Sequence, residues 1–362
     1  MPIREHANRL DRLADEAQAV TLALGRARLD VALNLPQVRE VLENDLKVGS
    51  RSSVQLEYPD PRKSCKEVED AAASLEFGRT WIDDLLRARV DEQVDGARRP
   101  SRHDGEVITR LSLETYGTVT QILLAEAREI LSEPDVFEPP LPEFDTAEAA
   151  QFVRTELDRK GLKSWTVEID NRMTARMSVS GPNNRVRIRA RSAFSAGELE
   201  RLAIHEVGTH VMRYVNGERQ PLRLLRIPLQ SYIRTEEGLA VFNENRAGVL
   251  SFSDRRKYAA RVVAADAALS GSMLDAYEAI VGAVGHEMAF DIALRSKRGF
   301  TDLNEPGAHL KDIVYLAGFL DVASLEAEQP GSVDRLMTCK QAIDFLPRLS
   351  DLESEGLWSP PV

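Results

Sequence analysis

Along the chain, apolar residues recur at steps of three and four over long stretches and alternate with polar ones only briefly. Residues 4–28 place Leu10, Leu13, Ala17, Val20 and Leu24 on one helical stripe. The same period returns at 36–47, 66–94 and 104–132 between breaks rich in Gly and Pro, so the first third is predicted to be helical. Glu133-Pro-Asp-Val-Phe-Glu-Pro-Pro-Leu-Pro142 carries four prolines in ten positions, which excludes helix and favours an extended linker. After a helix near 146–160 the period switches to two, in Trp165–Asp170, Met173–Ser180 and Arg185–Ala190, with a turn at Gly181-Pro-Asn-Asn184. From 195 onward the pattern is helical again, including 275–295 and 334–347. The expectation is an α+β fold, mainly α, with a small antiparallel sheet. It has a helical region 1–133, a linker 134–145 and a second domain 146–362.

Composition narrows the class. The chain has 362 residues, 43% hydrophobic and 29% charged, which suits a globular protein. Cys65 and Cys339 are its two cysteines, which excludes a disulfide framework or a thiolate zinc cluster and fits a reducing, cytoplasmic setting. No apolar run reaches the roughly 18 residues of a membrane span, and the charged N-terminal stretch does not resemble a signal peptide. A net charge of −11 and 6% aromatic residues argue against nucleic acid as a partner.

Candidate chemistry begins directly after the predicted sheet. Ser195-Ala-Gly-Glu198 fits a capping box, opening a helix through Leu199, Leu202, Val207, Val211 and Tyr214 to Asn216-Gly217. Inside it lies His205-Glu-Val-Gly-Thr-His210. Histidines four apart on an α-helix diverge by about 40°, but five apart they diverge by about 140°. They can meet on one metal ion if the helix widens by a residue, as a π-bulge does, and Gly208 stands where that distortion is needed. The competing reading is two polar side chains on a wet helix face. Catalytic zinc takes three protein ligands, and Thr235-Glu-Glu-Gly-Leu-Ala240 offers the third. Glu237 is the first choice and Glu236 the alternative or supporting partner, since adjacent helical residues do not share a face. An acid-rich helix N-terminus explains the same pair without metal. Glu206 can act as a general base toward water. His286-Glu287 with Asp291 is read as part of an ordinary helix, and His103 as part of a flexible basic loop.

The segments His205-Glu-Val-Gly-Thr-His-Val-Met-Arg213, Asn216-Gly217, Gln220-Pro221 and Glu236-Glu-Gly-Leu-Ala240 resemble the tubulin-tyrosine carboxypeptidase metallopeptidases and bacterial proteins carrying a QEGLA motif. His309-Leu-Lys-Asp-Ile-Val-Tyr-Leu-Ala-Gly-Phe319 is similar to that family's Lys-Asp-x-x-Tyr-Leu-x-Gly segment, so the likeness covers about residues 145–325. It implies a zincin-like catalytic domain, zinc held by His205, His210 and Glu237, Glu206 as catalytic carboxylate, and Tyr315 as oxyanion donor. Tyr232 and His309 are alternative donors. Glu236 stands where the bacterial relatives usually have Gln.

Between Arg185 and Arg234 there are ten arginines and four glutamates, with no lysine or aspartate. Such a basic stretch would attract an anion, and Arg forks match carboxylates. A peptide or protein C-terminus is such an anion, favouring a carboxypeptidase, with Arg213, Arg234 and Lys311 as candidate clamps. The outer face of a half-buried strand explains Arg185, Arg187 and Arg189 equally well. The strand at 185–190 is the expected edge for an added peptide strand. No basic, extended arm of the kind a microtubule binder would use is visible, which argues against tubulin as substrate. Two other readings share the motif: a regulatory, partner-binding protein whose metal site is structural or vestigial, and a zinc amidohydrolase that does not cleave peptides.

Overall fold

The computed structural model describes residues 3–27, 32–60, 62–98, 104–134, 141–171, 173 and 175–362. Most of the Pro-rich linker (135–140) and the loop around His103 lie outside the described residues. The helices run α1 (Ala7–Ala27), α2 (Leu35–Lys47), α3 (Arg62–Ala73), α4 (Trp81–Arg98), α5 (Gly105–Tyr116), α6 (Gln121–Ser132) and α7 (Thr146–Arg159). Strands β1 (Thr166–Asp170), β2 (Met177–Ser180) and β3 (Arg185–Arg189) follow. Then come α8 (Ala196–Leu202), a π-helical segment (Ala203–Val211), α9 (Met212–Glu218), α10 (Tyr232–Arg246), α11 (Phe252–Ser270), α12 (Met273–Val284) and α13 (His286–Ser296). The chain ends with α14 (Val314–Glu328), α15 (Ser332–Leu336) and α16 (Leu346–Ser354). The architecture is α+β and mainly α. No helix among the described residues is long and apolar enough to cross a membrane.

Several long periodic stretches are split. The pattern at 104–132 breaks at Gly117, whose φ of 83° ends α5, and Thr120 caps α6. The stretch 275–295 breaks at Gly285, with φ of 76°. Residues 337–345, expected to be helical, hold only a short 3₁₀ turn (Ile343–Phe345).

The chain divides into two compact units. The first contains Met1–Pro134, Leu229–Arg234 and Asp254–Ala317; the second contains Asp135–Pro228, Thr235–Ser253 and Gly318–Val362. The domain expected at 146–362 is therefore interrupted, because α11 to α13 group with the N-terminal helices. In the first unit α1 packs on α3 and α4, and its residues Leu10, Leu13, Ala14, Ala17 and Val20 are all buried.

In the second unit the sheet order is β1-β3-β2. β2 and β3 are antiparallel, joined by the predicted turn, where Asn184 takes the left-handed conformation with φ of 45°. β1 and β3 are parallel, so the sheet is mixed and not wholly antiparallel. β3 is consequently the central strand, with both sides hydrogen-bonded, and cannot be the free edge expected of 185–190. Val186 and Ile188 face a core with Val153, Leu157, Trp165, Phe194, Leu199, Val207 and Val211, which seats α8 and the π-helical segment against the sheet. A second core joins Leu239 of α10 to Val322 of α14 and to Val333 and Leu336 of α15.

Candidate metal centre

The distortion expected between Glu206 and His210 is present and longer than a single bulge: residues Ala203–Val211 are π-helical throughout. Adding one residue per turn makes positions five apart equivalent to positions four apart on an α-helix. The rings of His205 and His210 accordingly meet edge to face, with centroids 4.8 Å apart. Ser195 caps α8 by accepting from the Glu198 amide at 3.2 Å. The Glu198 carboxylate pairs with Arg176 at 2.6 Å.

Glu237 reaches the pair from α10. Its Oε2 lies 3.3 Å from His205 Nε2 and 3.6 Å from His210 Nε2. One ligand atom from each of the three residues lies within 4.8 Å of the others, and all three residues are buried. Ligand atoms bound to zinc at about 2.0–2.1 Å and tetrahedral angles stand about 3.4 Å apart, so the two nitrogen–oxygen separations fit such an ion.

The other ring nitrogens are also engaged. His205 Nδ1 donates to Glu244 Oε1 at 2.6 Å, and Arg201 donates to the same oxygen at 3.0 Å. His210 Nδ1 donates to Glu236 Oε1 at 2.7 Å, where Lys340 also donates at 2.6 Å, and Arg213 bonds the other oxygen. A carboxylate behind each imidazole fixes the ring's orientation and turns Nε2 toward the centre, an arrangement common behind metal-ligating histidines. Burial alone would push the His205 pKa down, but hydrogen bonds to Glu237 and Glu244 outweigh it and hold the pKa at about 10. His210 is raised in the same way against burial, chiefly by Glu236. Burial would raise Glu237, yet the two rings hold its carboxyl well below the usual range. The pocket is built to stabilise positive charge between two rings and a carboxylate, which a divalent cation also supplies. Glu206 is buried beside His205 and makes no hydrogen bond or ion pair among the described residues. Its charge also favours the protonated His205 ring.

The candidate clamps fare differently. Arg213 has no exposed surface; Nε donates to Leu336 O at 2.9 Å, Nη2 to Gln341 O at 2.9 Å and Nη1 to Glu236. The expectation that it grips a substrate carboxylate is corrected: its donors face protein acceptors. Arg234, Lys311 and Tyr315 belong to the first unit. There Tyr315 stacks on Tyr258 with centroids 5.3 Å apart, and the Arg261 guanidinium lies 4.4 Å over its ring. Of the alternative donors, Tyr232 also lies in the first unit, as does His309, tilted against Tyr116. His286 bonds Tyr277 Oη at 2.9 Å, as suits a histidine in an ordinary helix.

Sequence reasoning missed Glu244 and Arg201. Glu244 follows Glu237 by seven residues and so shares its helix face, and Arg201 precedes His205 by four, so both spacings were readable. Lys340 gave no local signal.

A family model described as microtubule-associated tyrosine carboxypeptidase matches residues 43–362. The human microtubule-associated tyrosine carboxypeptidase 1 is 27% identical over 344 residues, covering 91% of this chain and 65% of that protein. The mouse protein of the same name is 34% identical over 129 residues, 34% of this chain and 27% of its own length. A putative tyrosine carboxypeptidase from mouse is 33% identical over 131 residues. The chain thus spans less than two thirds of the length of these relatives. The family model covers nearly the whole chain and takes in the His205, His210 and Glu237 cluster; the chain belongs to the microtubule-associated tyrosine carboxypeptidase family.

Proposed function

We propose that this chain is a zinc-dependent carboxypeptidase that removes the last residue of a peptide or protein. The observation that carries this reading is the convergence of His205, His210 and Glu237, each ring backed by a carboxylate, beside a Glu206 that makes no ion pair among the described residues. His205 and His210 would hold zinc through Nε2 and Glu237 through its carboxylate. When bound, the ion supplies Lewis acidity that polarises a carbonyl and brings the pKa of water at the site to about 7. Glu206 takes the proton of the attacking water on its carboxylate and delivers it to the leaving amine. Its freedom from ion pairs supports a catalytic over a purely structural site, which needs no such group. The relatives' names make tyrosine the first terminal residue to test.

Metal analysis of the purified chain is expected to find about one zinc per molecule, lost in His205→Ala and His210→Ala. Glu206→Gln is expected to keep the metal and lose turnover of a tyrosine-terminated peptide by about 10²–10⁴-fold. Amidation of that peptide's C-terminus is expected to abolish cleavage. Full turnover in Glu206→Gln, or unchanged cleavage of the amide, would overturn the corresponding part of the reading.

A further inference from the structure

The two imidazoles meet only because their helix is wound in π register, and a short hydrogen-bonded chain ties that winding to the helix bearing Glu237. Thr209 is fully buried. Its hydroxyl donates to the carbonyl of Ile204, five residues back, at 3.1 Å. In an α-helix a threonine hydroxyl bonds the carbonyl three or four residues back, so this bond belongs to the wider turn. The hydroxyl oxygen in turn accepts from Asn243 Nδ2 of α10 at 2.9 Å. Asn243 is itself buried; its Nδ2 also lies 3.7 Å from Met337 Sδ, and its Oδ1 has no partner among the described residues. A buried amide with an unsatisfied oxygen is a cost that a merely space-filling residue would not carry. Its bond to Thr209 accounts for its orientation. Asn243 follows Glu236 by seven residues, which puts it on the stripe that supports His210.

We propose that Thr209 and Asn243 are positioning residues: together they hold residues 204–209 in π register, and so set the distance between His205 and His210 and the presentation of both rings to Glu237. This rests on the reading of the cluster as a metal centre, but it also makes a claim about winding that needs no metal.

Thr209→Val keeps the shape and removes both the donor and the acceptor; Thr209→Ser restores them. Zinc affinity of the full chain, measured by competition with a chromophoric chelator, is expected to fall about 10–100-fold in Thr209→Val and to recover in Thr209→Ser. A crystal structure of metal-free Thr209→Val is expected to show the segment returning toward α winding, with the ligand atoms of His205, His210 and Glu237 no longer all within 4.8 Å of one another. Asn243→Leu, which breaks the same chain from α10, carries both readouts should Thr209→Val not accumulate as folded protein. If both variants bind zinc as the wild type does and keep the π winding, the proposal is overturned. If the wild type binds no zinc while metal-free Thr209→Val unwinds, the brace stands and the metal reading fails.

Discussion

Gly238 tests how rigidly α10 must approach α14 for Glu237 to reach the centre. A Cβ built on Gly238 would lie 2.1 Å from the carbonyl carbon of Gly318, 2.3 Å from its oxygen and 2.5 Å from its Cα. Ordinary van der Waals contact begins at 3.4 Å, so the backbones would have to part by at least about 1.3 Å. The three nearest atoms are all main chain, so this obstruction cannot rotate aside as a side chain would. Two effects oppose each other in Gly238→Ala. Alanine in a helix interior gains about 1 kcal/mol over glycine. Overpacking a tight interior costs about 1–3 kcal/mol, occasionally more, and backbone against backbone belongs at the upper end. The expected net result is a loss of about 2 kcal/mol in urea denaturation. Displacement of the neighbouring Glu237 should matter more, since ligand distances tolerate only about 0.2 Å. Zinc affinity by chelator competition is therefore expected to fall at least tenfold, well beyond the stability effect. A variant about 1 kcal/mol more stable, with wild-type affinity, would show that the helices are not in obligatory contact and refute the reasoning.

Two further expectations concern the first unit. Lys297 is fully buried, and its three N–H groups are shared among the carbonyls of Ala268, Gly271, Glu305 and Gly307, which lie 3.2, 2.7, 2.6 and 2.7 Å from Nζ. Lys297→Met strands acceptors that cost about 1–3 kcal/mol each, so a loss of at least about 3 kcal/mol is expected in chemical denaturation. Asp83 is buried and accepts from Arg9 at 2.6 and 2.8 Å and from Thr80 Oγ1 at 2.7 Å; burial opposes its ionisation, but these donors hold its carboxyl below the usual range. A carboxyl depressed in the folded state stabilises above its unfolded pKa of about 4 and loses that contribution as pH falls through the folded value. Asp83→Asn should therefore cost about 2 kcal/mol at pH 7, with the gap to wild type narrowing in acid; a gap that widens would reverse the assignment.

What the sequence disclosed about the centre depended on how local each relation was. His205 and His210, five apart around Gly208, predicted the distortion that the π-helical segment contains, because a backbone register is set within one or two turns. Glu237 stands out in sequence because two adjacent carboxylates before an apolar run are a conspicuous local pattern; the helix in fact starts at Tyr232, so the pair lies in its second turn and is not an acidic N-terminus, and Glu237 lies with His205 and His210. The sheet was harder. Alternation identifies which residues of β3 face inward, as Val186 and Ile188 do, but pairing depends on where β1 lies after its connection, and period carries no information on that. The same limit hid Lys340. It sits 104 residues from Glu236, in a stretch whose periodicity suggested helix and which instead places the 341 carbonyl on Arg213 and the 340 ammonium on Glu236.

Charge is hard to read from sequence for a related reason. A stretch dense in arginine suggests a positive field only if its counter-charges are equally local. Arg185 pairs with Glu168 and Arg187 with Asp170 across the parallel β1–β3 pair, while Arg201 and Arg213 pair with Glu244 and Glu236 of α10. Each of those acids lies outside the arginine-rich stretch in sequence. Burial makes the difference in kind as well as in number. A guanidinium with no exposed surface, such as Arg213, cannot leave its carboxylate for a passing anion without stranding Glu236 and two carbonyls. The arginines that looked in sequence like a substrate-steering patch thus act, at 201 and 213, on the carboxylates that orient the two histidines. Any steering of an anionic peptide terminus falls to residues whose donors are not already committed.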